Sequence, residues 1–396
     1  MGKRRHILRF LAYPETGGFV LVACAAAALI LANNGLTAGF YQNFLAAQSR
    51  IAVGPFVAEL ARQDWIKEGL MTIFFFVVGL ELKNEFVAGE LADRRAALLP
   101  VAAALGGMIA PAVIYYVLNS HEGLLALHRH GDPRGWPVPV ATDIAFATAA
   151  LAVVGRGLPG SLRIFLLTLA IVDDLGAVVL IAILYSVNAP IALVPLIGVG
   201  AMLVVMLLLG QARAPAWLFL PFAVLVWAFA LKSGINTSVA GVAAAFTVPV
   251  KQSTQLQKAL RWFSDYVVLP VFALAAAGVP LNQATIENVW SYVPVGIAAG
   301  LVLGKPVGVI AASVIVVALR LARYPTNATA AQFFGVACLC GIGFTMSLFV
   351  AALAFDGDHG PGDLARLGIM MGSMIALFVG GGVLAAAKRQ RIANSE

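Results

Sequence analysis

The chain has 396 residues, of which 61% are hydrophobic and 11% charged, with a net charge of +7 and a mean hydropathy of +0.92. Soluble domains carry roughly 45–50% apolar and about 25% charged residues, so a water-soluble enzyme is excluded. Nucleic acid is excluded as a partner, because the 26 Lys and Arg are scattered along the chain and form no basic stripe.

The basic stretch Met1 to Arg9 precedes an apolar run, Gly18 to Ala32, with no small-residue cleavage site followed by a soluble domain. It reads as a retained first span. Cutting the rest at charges, prolines and Gly-Asn clusters places further spans near 67–83, 96–118, 136–155, 161–185, 191–210, 216–230, 234–249, 263–281, 293–319, 333–355 and 366–387. The expected fold is therefore an all-α polytopic membrane protein of about 12 transmembrane helices, each near 20 residues, forming a single domain over 1–396. With the N-terminus inside, 18 Lys and Arg fall on the inner side and 7 outside, with Lys305 left within a span. That asymmetry puts both termini in the cytoplasm and favours an even number of spans. Cys24, Cys338 and Cys340 lie in apolar surroundings and read as packing residues.

A charge at bilayer depth costs roughly 2.5–3.5 kcal/mol, so each requires a partner, water or a function. Asp143, Asp173, Asp174 and Lys305 are such charges. Asp143 follows Trp136-Pro-Val-Pro-Val-Ala-Thr142, where Pro137 and Pro139 remove backbone donors, so this span is a poor continuous helix. Its carboxylate reads either as an ion site or as a counter-charge to helix N-terminal ends. Asp173 and Asp174 point about 100° apart on a helix, so one can face a cavity while the other meets a partner. A structural ion pair is the plainer reading, but the carboxylates outnumber the single lysine. Lys305, in Gly304-Lys-Pro-Val-Gly308, reads equally as counter-ion or proton carrier.

A second discontinuity is expected at Cys338-Leu-Cys-Gly-Ile-Gly-Phe-Thr-Met-Ser347, where two glycines let the backbone unwind and Thr345 and Ser347 can satisfy the freed groups. Ordinary small-residue packing is the alternative. Spans 3 to 5, residues 96–185, and spans 10 to 12, residues 293–387, then form two three-helix repeats of inverted topology, each with its broken member in the middle. Other motifs fail. Gly300-Leu-Val-Leu-Gly-Lys-Pro lacks phosphate-loop spacing, the Asn236 and Asn327 glycosylation patterns are short random matches, and His121, His128 and His130 read as solvated loop residues.

Hard alkali cations take oxygen ligands, here the carboxylates, Thr142 and the carbonyls of two unwound segments. No thiol or imidazole cluster suits a softer metal, and no cofactor is implied. A buried carboxylate holds a proton or a cation but not both comfortably. If the site opens alternately to each side, that competition suffices for cation/proton antiport. A sodium-coupled symporter of an organic anion is the main rival, weakened by the lack of an intramembrane arginine. A cation channel would need ligand rings, and adjacent aspartates cannot form a proteolytic dyad.

The stretches Ala141-Thr-Asp-Ile-Ala-Phe146, Ala170-Ile-Val-Asp-Asp-Leu-Gly176, Gly304-Lys-Pro306 and Cys340-Gly-Ile-Gly-Phe-Thr-Met-Ser347, with Phe74 to Lys83 and Ala102 to Pro111, resemble the NhaA family of bacterial sodium/proton antiporters. The resemblance runs over nearly the whole chain. It implies that Asp174 is the main cation and proton site, Asp173 its companion, and Lys305 the partner of Asp173. It further implies that Thr142 contributes an oxygen and that Asp143 offsets helix dipoles where spans 4 and 11 cross at their breaks. Sodium, lithium and protons are then the substrates, exchange is electrogenic, the location is the bacterial inner membrane with its lipid bilayer, and members often form homodimers. The chain departs from the family where pH sensing is placed. Asn236 stands in Lys232-Ser-Gly-Ile-Asn-Thr-Ser238 where histidine is usual, span 9 opens with Gln257-Lys-Ala-Leu-Arg-Trp-Phe263, and Asn84 replaces a common arginine. A shifted or flatter pH response is expected.

Overall fold

The computed structural model describes residues 16–53, 56–120, 131–155, 158–186 and 190–393. The basic N-terminus and the three histidines of the 121–130 loop lie outside these residues. The helices of eight residues or more, in chain order, are α1 (Thr16–Asn33), α2 (Ala38–Ala46), α3 (Met71–Ala88), α4 (Arg94–Ser120), α5 (Ile144–Val154), α6 (Gly160–Leu184), α7 (Leu193–Gln211) and α8 (Phe219–Ser233). They continue with α9 (Thr237–Thr247), α10 (Val250–Phe263), α11 (Leu269–Ala276), α12 (Tyr292–Ala299), α13 (Lys305–Ala318), α14 (Ala330–Leu339), α15 (Phe344–Ala354) and α16 (His359–Ala393).

Each expected span coincides with helix. Among the described residues, seven helices are long and apolar enough to cross a membrane, and up to ten if each of three bent pairs is one span. α3 carries Glu81, Lys83 and Glu85, and α9 has only 11 residues, so neither meets that measure. Two differences from the sequence reading stand out. An antiparallel hairpin, β1 (Gln48–Val53) with β2 (Phe56–Ala61), interrupts the otherwise helical chain and sets Arg50 opposite Glu59. Strands of six residues are too short to declare their alternation. The ninth span, expected from 263, begins at Val250 and runs to Ala276. Its first turns are amphipathic, with Ser253 and Leu256 buried and Lys251 and Lys258 exposed.

The chain divides into two compact units. One comprises Cys24–Ala92 and Val178–Gly278. Its core joins Phe76 and Leu80 of α3 to Val226 of α8, Ala240 and Ala244 of α9 and Leu256 of α10. Small residues permit the approach: a Cβ on Gly79 would sit 2.7 Å from that of Ala245. The other unit comprises Met1–Ala23, Asp93–Ala177 and Val279–Glu396. Here α4 and α13 cross with backbones touching, since a Cβ on Gly106 or on Gly308 would overlap the carbonyl oxygen of the other.

Among the described residues, three wide, five-residue π turns interrupt helices, at Ile66–Leu70, Ser264–Val268 and Gly300–Gly304. The last two share a cause in sequence. Pro270 and Pro306 each follow one residue after the turn, and a proline ring inside a helix clashes with the carbonyl four residues back. Widening the turn relieves that clash. The third π turn leads directly into Lys305.

Candidate cation site

The sequence-nominated residues Thr142, Asp143, Asp173, Asp174 and Lys305 all belong to the unit containing α4 and α13. The first break follows from its prolines. Short 3-10 turns form at Pro133–Gly135 and Val138–Val140, the second ends in extended backbone at Ala141, and α5 restarts at Ile144 with a 44° bend between the pieces. Asp143 is the N-cap of α5, its Oδ1 accepting the Phe146 N–H at 3.0 Å. The second break lies between α14 and α15, bent by 41°. Gly341 and Gly343 are required there by close approach: a Cβ on Gly343 would sit 3.0 Å from the Ala141 oxygen, and one on Gly341 would overlap that of Leu301.

The two breaks satisfy each other's backbone groups. Asp143 N–H donates to Ile342 O at 2.7 Å, and the Thr142 hydroxyl donates to Cys340 O at 2.8 Å. In the other direction, Ser347 donates to Val138 O at 2.8 Å. Thr345 donates its N–H at 3.0 Å, and its hydroxyl as well, to Asp143 Oδ2. Asp143 therefore caps α5 and α15 together, with both oxygens engaged. Thr142 spends its proton on Cys340, while its oxygen can still accept or ligate. One contributor went unread in the sequence: Ser373 of α16, whose Oγ accepts the Phe344 N–H at 3.2 Å. A serine in an apolar helix, with no neighbouring break to flag it, carries no such signal.

The adjacent aspartates sit mid-way along α6, and both are buried. Lys305 Nζ meets Asp173 Oδ2 at 2.6 Å, with both side chains fully removed from solvent. Its aliphatic stem passes Gly107 of α4, where a Cβ would lie 3.7 Å from the Lys305 Cδ. Close approach of α6 and α4 is allowed by Gly176, where a Cβ would lie 2.7 Å from the Met108 methyl. The structure thus joins Asp173 with Lys305, and Thr142 and Asp143 with the second break. Among the described residues, no hydrogen bond or ion pair links Asp173 or Lys305 to Thr142 or Asp143.

In the other unit, Asn236 caps α9, accepting the N–H groups of Ser238 and Val239 at 3.0 and 3.3 Å. Asn84 donates to Gln257 at 2.8 Å and accepts from Thr254 at 3.4 Å. Arg261 pairs with Glu81 at 3.3 Å and Asp265 at 3.5 Å. Asn84, Thr254 and Gln257 thus form a neutral hydrogen-bonded set between α3 and α10.

The family described as Na+/H+ antiporter 1 matches residues 8–384. The Na(+)/H(+) antiporter NhaA of Shewanella sp. (strain W3-18-1) is 42% identical over 392 residues, covering 94% of this chain and 96% of that protein. That of Shewanella loihica is 42% identical over 385 residues, covering 94% and 95%. The Escherichia coli O1:K1 protein of the same name is 40% identical over 387 residues, covering 95% and 97%. A membrane protein of many apolar helices, with buried carboxylates and broken helix pairs, this chain belongs to the Na+/H+ antiporter 1 family.

Proposed function

We propose that the chain is a secondary active antiporter that exchanges sodium for protons by alternating access, serving pH and sodium homeostasis. The observation that carries this reading is the fully buried Asp173–Lys305 pair, with the buried carboxylate of Asp174 next to it in the helix. A carboxylate oxygen can carry a proton or ligate a hard cation, and sodium requires the ionised form and oxygen ligands. Proton and cation therefore compete for one place. In this reading Asp174 and Asp173 bind the cation, Thr142 adds a hydroxyl oxygen, and Lys305 holds Asp173 until the cation displaces it. Asp143 stabilises the crossing of the two breaks and does not ligate. Transport needs no bound cofactor and no covalent chemistry, lithium replaces sodium, and exchange is electrogenic.

The same proposal places the protein in the bacterial inner membrane with both termini in the cytoplasm, as a homodimer. It treats residues 96–185 and 293–387 as the two inverted repeats whose broken members meet. The test is exchange in proteoliposomes with an acid interior, read with a pH-sensitive dye. Sodium or lithium added outside is expected to alkalinise the interior, and potassium to leave it unchanged. No proton movement with sodium from about pH 6 to 9, around the histidine range, would sink the reading.

A further inference from the structure

The π turn ahead of Lys305 leaves the Leu301 main-chain oxygen without its helical donor. In an α-helix the carbonyl of Leu301 would accept from the N–H of residue 305. Here the Lys305 N–H reaches back five residues to Gly300 O. The five-residue register would give Leu301 O the N–H of residue 306, but that residue is proline and has none. Among the described residues, no other donor reaches this oxygen. Leu301 is fully buried, and buried carbonyls without a partner are rare enough that each calls for an explanation, an ion among them.

The π turn at Ile66–Leu70 shows the ordinary remedy. The carbonyl of Glu68 accepts from Trp227 Nε1 at 2.8 Å, from the Thr72 hydroxyl at 2.7 Å and from the Thr237 hydroxyl at 2.9 Å. Nothing comparable covers Leu301. Its oxygen lies instead against the bare Cα of Gly341, inside the second break, where a side chain of any size would displace it. The preceding residue, Cys340, accepts the Thr142 hydroxyl through its carbonyl. Packing fixes the turn in place, since Cβ atoms on Gly300 and Gly304 would lie 2.7 Å from Pro139 Cβ and 2.6 Å from Pro111 Cα.

We propose that the Leu301 carbonyl oxygen is a further ligand for the transported alkali cation, freed by the π turn and by Pro306 at the point where Gly341 brings the second break against it. The inference rests on the antiport reading and deepens it. A hard monovalent cation takes neutral carbonyl oxygens readily, and this one sits four residues before the lysine that a cation must displace. Cation capture and release of Lys305 then share one turn of backbone.

The test is Pro306→Ala, which returns an N–H to the helix. If the wide turn persists, residue 306 can donate to Leu301 O; if it tightens, Lys305 does so. Either way the oxygen is engaged. The expected result in proteoliposomes is a rise of about tenfold in half-saturating sodium, with turnover at saturating sodium largely kept. Unchanged half-saturating sodium overturns the proposal, whatever happens to turnover. Wild-type protein is measured alongside, and absence of sodium-driven proton movement there condemns the antiport reading instead. A second measurement needs no variant. In wild type with ¹³C-carbonyl leucine, sodium against choline should shift a leucine amide I component in infrared difference spectra. No shift overturns the proposal even if Pro306→Ala fails to fold.

Discussion

Asp143 accepts the N–H of Phe146 at 3.0 Å through one oxygen and the N–H of Thr345 at 3.0 Å through the other, so one carboxylate starts two half-helices on opposite sides of a crossing. Both oxygens of the residue are thus engaged by main-chain donors. A carboxylate with both oxygens engaged by donors on either side is held in place by the two helix starts it serves. Removing it exposes two buried N–H groups to nothing.

Asp143→Ala is therefore expected to destabilise the protein by about 2 kcal/mol, near 1 kcal/mol for each lost cap, and to reduce exchange without abolishing it. Asp143→Asn keeps acceptor capacity and should recover part of the stability. Thermal unfolding in detergent beside transport in vesicles checks this. Equal stability of the alanine variant and wild type would show that the caps contribute nothing.

Lys305→Ala leaves Asp173 buried with no cation beside it, a change worth roughly 3–5 kcal/mol when a buried pair is broken on one side. Exchange should fall severely. The double variant Lys305→Ala, Asp173→Ala should be more stable than the sum of the single losses predicts, because no orphaned charge remains. Denaturation of all four proteins gives the coupling directly.

Asp174→Ala is expected to abolish sodium-driven proton movement while leaving the Asp173–Lys305 bond, and hence the fold, in place. Vesicles that still exchanged at near wild-type rates would overturn the mechanism even with the family assignment standing.

Asn236→His tests the departure from the family's usual residue. Asparagine is among the best N-caps, and an imidazolium at the positive end of α9 is unfavourable. The variant should lose about 1 kcal/mol or more, most below about pH 6, where histidine is charged, and recover as pH rises. Its exchange profile from about pH 6 to 9 should differ from wild type, and superimposable profiles remove this position from the pH response.

Most of the membrane architecture was legible in the sequence because apolar runs and charge breaks need no tertiary knowledge. The breaks at Thr142–Asp143 and Gly341–Gly343 were legible for a related reason: prolines and paired glycines advertise a helix that cannot continue. What stayed hidden depends on contact across the fold. The partnership of Thr345 with Asp143 joins residues 202 positions apart, and Ser373 looks like any serine until Phe344 meets it. The π turns were also invisible, since Gly304-Lys-Pro306 and Leu269-Pro270 read as ordinary spans with a proline in them. The start of the ninth span was misplaced because Lys251, Gln255 and Lys258 conceal a helix that continues beyond its apolar part.

The crossing of α4 and α13 at Gly106 and Gly308 has a bearing on motion. Helices that pack through long side chains interlock, and sliding one past the other means withdrawing knobs from holes. At Gly106 and Gly308 themselves there is no knob to withdraw, and the side chains they meet are the methyl groups of Ala312 and Ala110. The contact works as a fulcrum, on which α13 can tilt against α4 with little repacking, while translation is blocked by the carbonyl of each helix pressing on the other. Lys305, less than one turn from Gly308, rides close to the pivot, so a small angular swing moves the far ends of the helix widely and the lysine only slightly.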